Sequence, residues 1–279
     1  MVGVIDVGGG TRGIFGAGVF DYCMDNGIEF DLFIGVSAGS ANGSSYLSRQ
    51  RGRNLVFYDN YAFRRKYMSV WNMLTTGEFI NLDYIYSTLS NSDGEDPLDY
   101  NALADNPTDF EIVTTNTLTG KPHYFPKSSI KQDCYDVIKA SCAVPVASKP
   151  YPIDGVPYYD GGLSDPIPYK RAFEKGCDKL VVVLTRPKDS FRKPDGDKKF
   201  VQLVKRKYSA AAEVIRNRYK VYNQSLREIL ELEKQGKVLI IAPDDISGLK
   251  TLTKDHEPLR KLYAKGYAAA ERIKPFLND

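Results

Sequence analysis

The chain has 279 residues, 42% hydrophobic and 26% charged, which suits a water-soluble globular protein of one large α/β domain or two small ones. A formal net charge of +3 is too weak an excess to argue for nucleic acid. No apolar run approaches the roughly 20 residues that span a bilayer, and the N-terminus lacks a secretory pattern, so a cytoplasmic protein is expected. The cysteines, Cys23, Cys134, Cys142 and Cys177, show no C-x-x-C spacing and are expected to be reduced core residues rather than disulfides or metal ligands.

Met1 to Val7 predicts a short apolar strand, and Gly8-Gly9-Gly10-Thr11-Arg12-Gly13 follows it directly. Ile14 to Gly27 carries Phe15, Val19, Phe20 and Cys23 at helical spacing and ends on a glycine suited to a C-cap. Leu32, Phe33 and Ile34 then form a second strand that stops at Gly35-Val36-Ser37-Ala38-Gly39, and the small residues from Ser40 to Tyr46 read as a helix. The resulting β-loop-α-β unit predicts parallel strands joined by a right-handed crossover. Both glycine-rich loops then fall at the carboxyl ends of neighbouring strands, where open α/β sheets bind ligands.

Residues 51–100 mix Arg51, Arg53, Arg64, Arg65 and Lys66 with Phe57, Tyr58, Tyr61, Phe63, Tyr67, Met68, Trp71 and Met73. Two readings stand: a helical insertion with a solvated basic face, or a mobile cap that meets an anionic lipid surface. Asn91 to Asp99 reads as a polar, acidic loop. Further on, strands are predicted at Phe110–Thr115, Pro122–Phe125, Val156–Tyr159, Lys179–Leu184 and Lys237–Ala242. Helices are predicted at Asp133–Ala140, Ile167–Lys175 and Leu259–Ile273, and one long helix from about Phe200 to Lys234 after a basic linker, Arg186 to Lys199.

G-x-S-x-G between a strand and a helix is the setting in which a serine sits on a strained turn with its hydroxyl exposed. The flanking glycines are needed because the turn brings strand and helix too close for a Cβ. The same pentapeptide also occurs as an ordinary tight turn. A serine nucleophile requires a base and oxyanion donors. The chain has only two histidines, His123 and His256, and neither sits in a context that favours a triad. Asp160 is the other candidate base: it ends a strand, and Gly161-Gly162 would let the backbone turn its carboxylate towards the serine, although Asp-Gly-Gly is also a common turn. Backbone amides of Gly8, Gly9 and Gly10 are candidate oxyanion donors, with Arg12 fixing the loop or attracting an anionic head group. Gly8, Gly10 and Gly13 also match the spacing of a dinucleotide fingerprint. That motif wants an acid at the end of the second strand, whereas Glu29 and Asp31 precede it.

Taken together, Gly8–Gly13, Gly35-Val36-Ser37-Ala38-Gly39 and Asp160-Gly161-Gly162, with the small-residue stretch Ala140 to Pro145, resemble the patatin-like phospholipase family in motif and order. The resemblance covers residues 1–190, expected as the catalytic core, and leaves 191–279 as a C-terminal extension packed on the same domain. It implies a three-layer α/β/α fold with a mostly parallel central sheet. It also implies a Ser37–Asp160 dyad, an oxyanion hole from Gly8–Gly10, and supporting roles for Arg12, Gly35, Gly39, Pro145, Gly161 and Gly162. Hydrolysis of phospholipid, lysophospholipid or related lipid esters follows, without metal or cofactor. The basic stretches would suit contact with an anionic membrane or serve as solvated faces. Asp165 stands where many members have asparagine. The alternative is a lipid- or nucleotide-binding α/β module without turnover. Oligomeric state is not legible.

Overall fold

The computed structural model describes residues 1–194, 198–246 and 248–278. The apolar runs form strands β1 (Val2–Asp6), β2 (Leu32–Val36), β3 (Asp109–Asn116), β4 (Pro122–Pro126), β5 (Tyr151–Ile153), β6 (Val156–Asp160), β7 (Lys179–Val183) and β8 (Val238–Ile241). They make one sheet in the order β5-β6-β3-β2-β1-β7-β8, with β4 also paired to β3. The run β3-β2-β1-β7-β8 is parallel throughout, while β4, β5 and β6 add antiparallel pairs.

The helices are α1 (Ile14–Asp25), α2 (Ala38–Leu47), α3 (Arg53–Asp59), α4 (Val70–Thr76), α5 (Tyr100–Asp105), α6 (Asp136–Cys142), α7 (Tyr169–Glu174), α8 (Lys198–Lys205), α9 (Ser209–Lys234), α10 (His256–Ala269) and α11 (Ile273–Asn278). Side chains alternate across a strand, so Val4, Val181 and Val183 face a core shared with α1, α2 and α10. Ile5, Val182 and Leu184 face a second core shared with α7 and α9. Two apolar faces on one sheet require a helical layer on each side, which is the expected three-layer α/β/α arrangement.

The C-terminal third is built into this frame, since β8 extends the sheet beside β7 and α10 packs on α1. The latter two helices touch through glycines: a Cβ on Gly18 would lie 2.2 Å from the Tyr263 carbonyl oxygen, and one on Gly266 2.0 Å from that of Phe15. The single helix expected from about Phe200 to Lys234 is corrected to two, α8 and α9, broken at 206–208. The break lets Val201 and Val204 from the first helix and Ala211, Ala212 and Ile215 from the second bury in one small core with Tyr159 and Leu163. A continuous helix could not turn both sets onto the same neighbours. The basic linker expected at 186–199 lies partly outside the described residues.

The cysteines are free. Cys23 and Cys177 are buried and Cys142 half-buried, but Cys134 is exposed, so the core placement expected for all four fails there. No described helix is long and apolar enough to cross a membrane.

Candidate active site

β3 is longer than its neighbours, and one edge of it serves two strands in succession. β2 pairs with its first part, ending with Val36 opposite Val113, and β6 pairs with its last part, with Asp160 opposite Thr114. The other edge is taken by β4. Because β2 runs parallel to β3 and β6 antiparallel, their C-terminal ends meet head to head. Ser37, the residue after β2, therefore faces Asp160, the last residue of β6, across 123 positions of sequence.

The turn at Ser37 is sharp. Ser37 has φ 56° and ψ −130°, a conformation that costs on the order of 1–3 kcal/mol for a non-glycine residue and is held only by its surroundings. Here those surroundings are explicit. The Ser37 N–H donates to Ser141 Oγ at 2.9 Å, and Ser141 Oγ donates to the Val113 carbonyl at 2.7 Å. A Cβ on Gly39 would lie 2.1 Å from the Asp6 carbonyl oxygen, and one on Gly35 2.5 Å from Ser40 Cα, so both glycines of the pentapeptide are required by close approach.

The Ser37 side chain lies near enough to the Asp160 carboxylate to favour its charged form. Ser37 is 8% exposed and Asp160 5%. Asp160 Oδ1 also accepts the Gly162 N–H at 2.7 Å, which is why a glycine pair follows the acid. Burial raises the Asp160 pKa above the usual carboxylate range, while Ser37, Arg218, the Gly162 amide and Arg192 pull it back. The result is a poorly solvated carboxylate with a raised pKa, which is the state a base needs when it must take a proton from a hydroxyl.

The glycine loop after β1 lies against the same turn. Gly8, Gly9 and Gly10 all have positive φ. The Gly8 N–H is already committed to Asp6 Oδ1 at 2.9 Å, and the Gly8 carbonyl accepts from the Thr185 hydroxyl. The amides of Gly9 and Gly10 have no backbone partner among the described residues. Arg12 is 4% exposed and donates to Thr251 Oγ1 at 3.2 Å.

Two cavities share Ser37, Val144, Gly10 and Thr251. The larger, about 370 Å³, is apolar, walled by Phe57, Tyr58, Tyr67, Met73, Pro145 and other side chains. Residues 51–100 thus cover the site, but their cations are mostly paired: Arg51 with Asp25, Arg53 with Asp96 and Arg64 with Glu95. The smaller cavity, about 100 Å³, contains Asp160 and several arginines.

Neither histidine lines the two cavities around Ser37. His256 stacks on Phe63 with ring centroids 3.7 Å apart and contacts Asp59 at 3.0 Å, and His123 sits on β4 against Phe125. Asp31 accepts from the Val2 amide at 2.7 Å, at the opposite end of β2 from Ser37, so the ribose-binding acid of a dinucleotide site is not supplied there. Asp165 accepts from the Tyr124 hydroxyl at 2.6 Å.

Sequence reasoning missed two positioning residues. Ser141 lies in the small-residue stretch ending at Pro145, but nothing local says that its hydroxyl reaches Ser37. Asp6 precedes the glycine loop and ties it to α2 through Asn42 Nδ2 at 2.7 Å; an acid at the end of an otherwise apolar strand was the available signal.

Residues 7–173, more than half of the chain, match the model of the patatin-like phospholipase family, and residues 208–279 match a domain of unknown function, DUF6363. The chain is 32% identical over 198 residues to the uncharacterized protein YjjU of Escherichia coli K12, covering 69% of this chain and 54% of that protein. It thus spans about half the length of this curated relative. Among solved structures, VipD from Legionella pneumophila aligns with a TM-score of 0.48 at 14% identity, over 97% of this chain and 66% of that one. On the family match, the chain belongs to the patatin-like phospholipase family.

Proposed function

We propose that the protein is a serine acyl hydrolase that cleaves lipid esters through a Ser37–Asp160 dyad. The observation that carries this reading is the head-to-head meeting of β2 and β6 on one edge of β3, which sets the buried Ser37 against the buried Asp160 at the junction of the two cavities. In the first half-reaction Asp160 takes the Ser37 proton as Oγ attacks the acyl carbonyl carbon. The oxyanion forms against the Gly9 and Gly10 amides and the positive end of α2. Collapse breaks the ester C–O bond, the leaving alcohol takes the proton from Asp160, and the acyl group stays on Ser37. Water then repeats the sequence with Asp160 again as base, releasing the carboxylic acid and restoring the serine.

The apolar cavity is suited to the acyl chain. Each buried methylene contributes about 0.8 kcal/mol, roughly fourfold in kcat/KM. p-Nitrophenyl esters should therefore be hydrolysed faster as the chain lengthens from acetyl towards octanoyl. Ala41→Phe, which intrudes from α2 into this cavity, should cut the octanoyl-to-acetyl ratio by about tenfold. A flat chain-length profile in wild type would remove the acyl role from the cavity.

Contact with a lipid surface is proposed through α4 rather than through the paired arginines. Val70, Trp71 and Leu74 are 68%, 65% and 75% exposed, while Met73 on the same helix lines the apolar cavity. Phe200 and Leu252 at the cavity are also partly exposed. An apolar helix face beside a lipid-sized cavity favours shallow insertion at the headgroup boundary. Trp71→Ser should weaken co-sedimentation with anionic vesicles several-fold without changing hydrolysis of a soluble acetyl ester. Unchanged vesicle binding would contradict the assignment.

A further inference from the structure

The smaller cavity at Ser37 has a chemistry that acyl transfer alone does not require. Arg12, Arg186, Arg192 and Arg218 all line it, and Asp160 is the only carboxylate among its described lining residues. The arginines gather around Tyr222: all four act electrostatically on its hydroxyl, and the Arg192 guanidinium lies 4.7 Å from the ring centroid. Arg218 donates Nε to the Gly162 carbonyl at 2.6 Å, one residue beyond the Asp160–Gly161 pair.

Arg12 is the most constrained. It is buried, and its Nε has no hydrogen-bond partner among the described residues. Burial first, then Arg186 and Arg218, push its pKa down to about 10. An unsatisfied buried donor on a charged group is costly to keep, and like charges drawn together in a concave site are the usual preparation for an anion. Arg186, Arg192 and Arg218 lie outside residues 7–173, in the β7–α8 connection and α9.

The two cavities meet only around Ser37, so an ester whose carbonyl sits on Ser37 with its acyl chain in the apolar cavity must send its alcohol the other way. On the hydrolase reading above, we infer that the arginine cavity is the leaving-group subsite and binds a phosphate carried by that alcohol. The preferred substrate is then an acyl ester of a glycerophosphate with a terminal phosphate, such as lysophosphatidate, ahead of a neutral glycerol ester. The C-terminal region takes part in substrate choice, because Arg186 and Arg218 reach the site from beyond the family core.

The test compares lysophosphatidate with monoacylglycerol of the same chain, in wild type, Arg186→Gln and Arg186→Lys, together with calorimetric titration of each protein with inorganic phosphate. The inference expects wild type to prefer lysophosphatidate by about 100-fold in kcat/KM. Arg186→Gln should reduce that ratio about tenfold and weaken phosphate binding, and Arg186→Lys should restore part of both. Equal rates on the two lipids with intact phosphate binding would mean a site for free phosphate and would overturn the leaving-group assignment. Equal rates with no phosphate binding would overturn the subsite altogether. If folded wild type hydrolyses neither lipid nor a p-nitrophenyl ester, the hydrolase reading fails, and with it the leaving-group role, whatever phosphate binds.

Discussion

Asp160→Asn should fold and be at least as stable as wild type, yet lose ester hydrolysis by on the order of 10⁴-fold, matching Ser37→Ala within the limits of detection. The two halves of this result have one cause. The Asp160 carboxylate is buried, and burial holds its pKa above the ordinary range, so at neutral pH its charge works against the folded state. An asparagine fills the same space and still offers Oδ1 to the Gly162 amide, which donates at 2.7 Å, but carries no charge to desolvate. It also cannot accept the Ser37 proton, so the nucleophile stays a neutral hydroxyl.

The proposed dyad also implies a pH profile. Only the ionised carboxylate acts as base, so kcat/KM should rise with pH through a pKa displaced above that of a free aspartate. Loss of stability and activity together in Asp160→Asn would mean that the residue is structural.

The second large effect belongs to Asp6. This carboxylate is fully buried and receives the Gly8 amide and Asn42 Nδ2. Burial raises its pKa to about 6, against 3.8 in the unfolded chain. The folded state therefore keeps its proton longer than the unfolded chain does. Its contribution is most favourable below the unfolded value and is lost as pH rises through about 6. Two units correspond to roughly 3 kcal/mol, a large part of a domain's stability.

Urea midpoints of wild type and Asp6→Asn should therefore diverge in slope between pH 4 and pH 6, with the wild-type descent absent from the variant. Total stability at pH 7 should change less, since the amide nitrogen would face the donor Nδ2 of Asn42, a mismatch costing about 1–3 kcal/mol. Turnover should fall about tenfold because the glycine loop loses an anchor. The same slope in both proteins would show that Asp6 does not titrate in this window.

How much of this was legible beforehand varies with the range of the interaction. Ser37, Asp160 and the glycine loop stand in local patterns, and the strands β1, β2, β7 and β8 are short apolar runs between turn signals. The α/β/α layering follows from those runs and the helical spacing between them. The meeting of β2 and β6 on one edge of β3 is a matter of register between distant segments, and no local pattern encodes it. Ser141, 104 positions from Ser37, is invisible for the same reason.

Charge was the least legible feature. Arg51, Arg53 and Arg64 look like a basic face in sequence, yet each meets an acid in the fold. Arg186 and Arg218 look like solvated linker and helix residues, yet both line the cavity at Ser37. Which cations line the cavity and which lie away from it depends on tertiary placement alone.

On the proposed reading, Asp160 activates Ser37. Treating wild type and Asp160→Asn with a fluorophosphonate probe, then locating the adduct by mass spectrometry, tests it most directly, because the probe reacts with an activated serine whatever the natural substrate. An adduct is expected on Ser37 in wild type and almost none in the equally folded variant. Labelling of Ser37 at the same rate in both would contradict it, and no adduct on folded wild type would leave the site without a nucleophile.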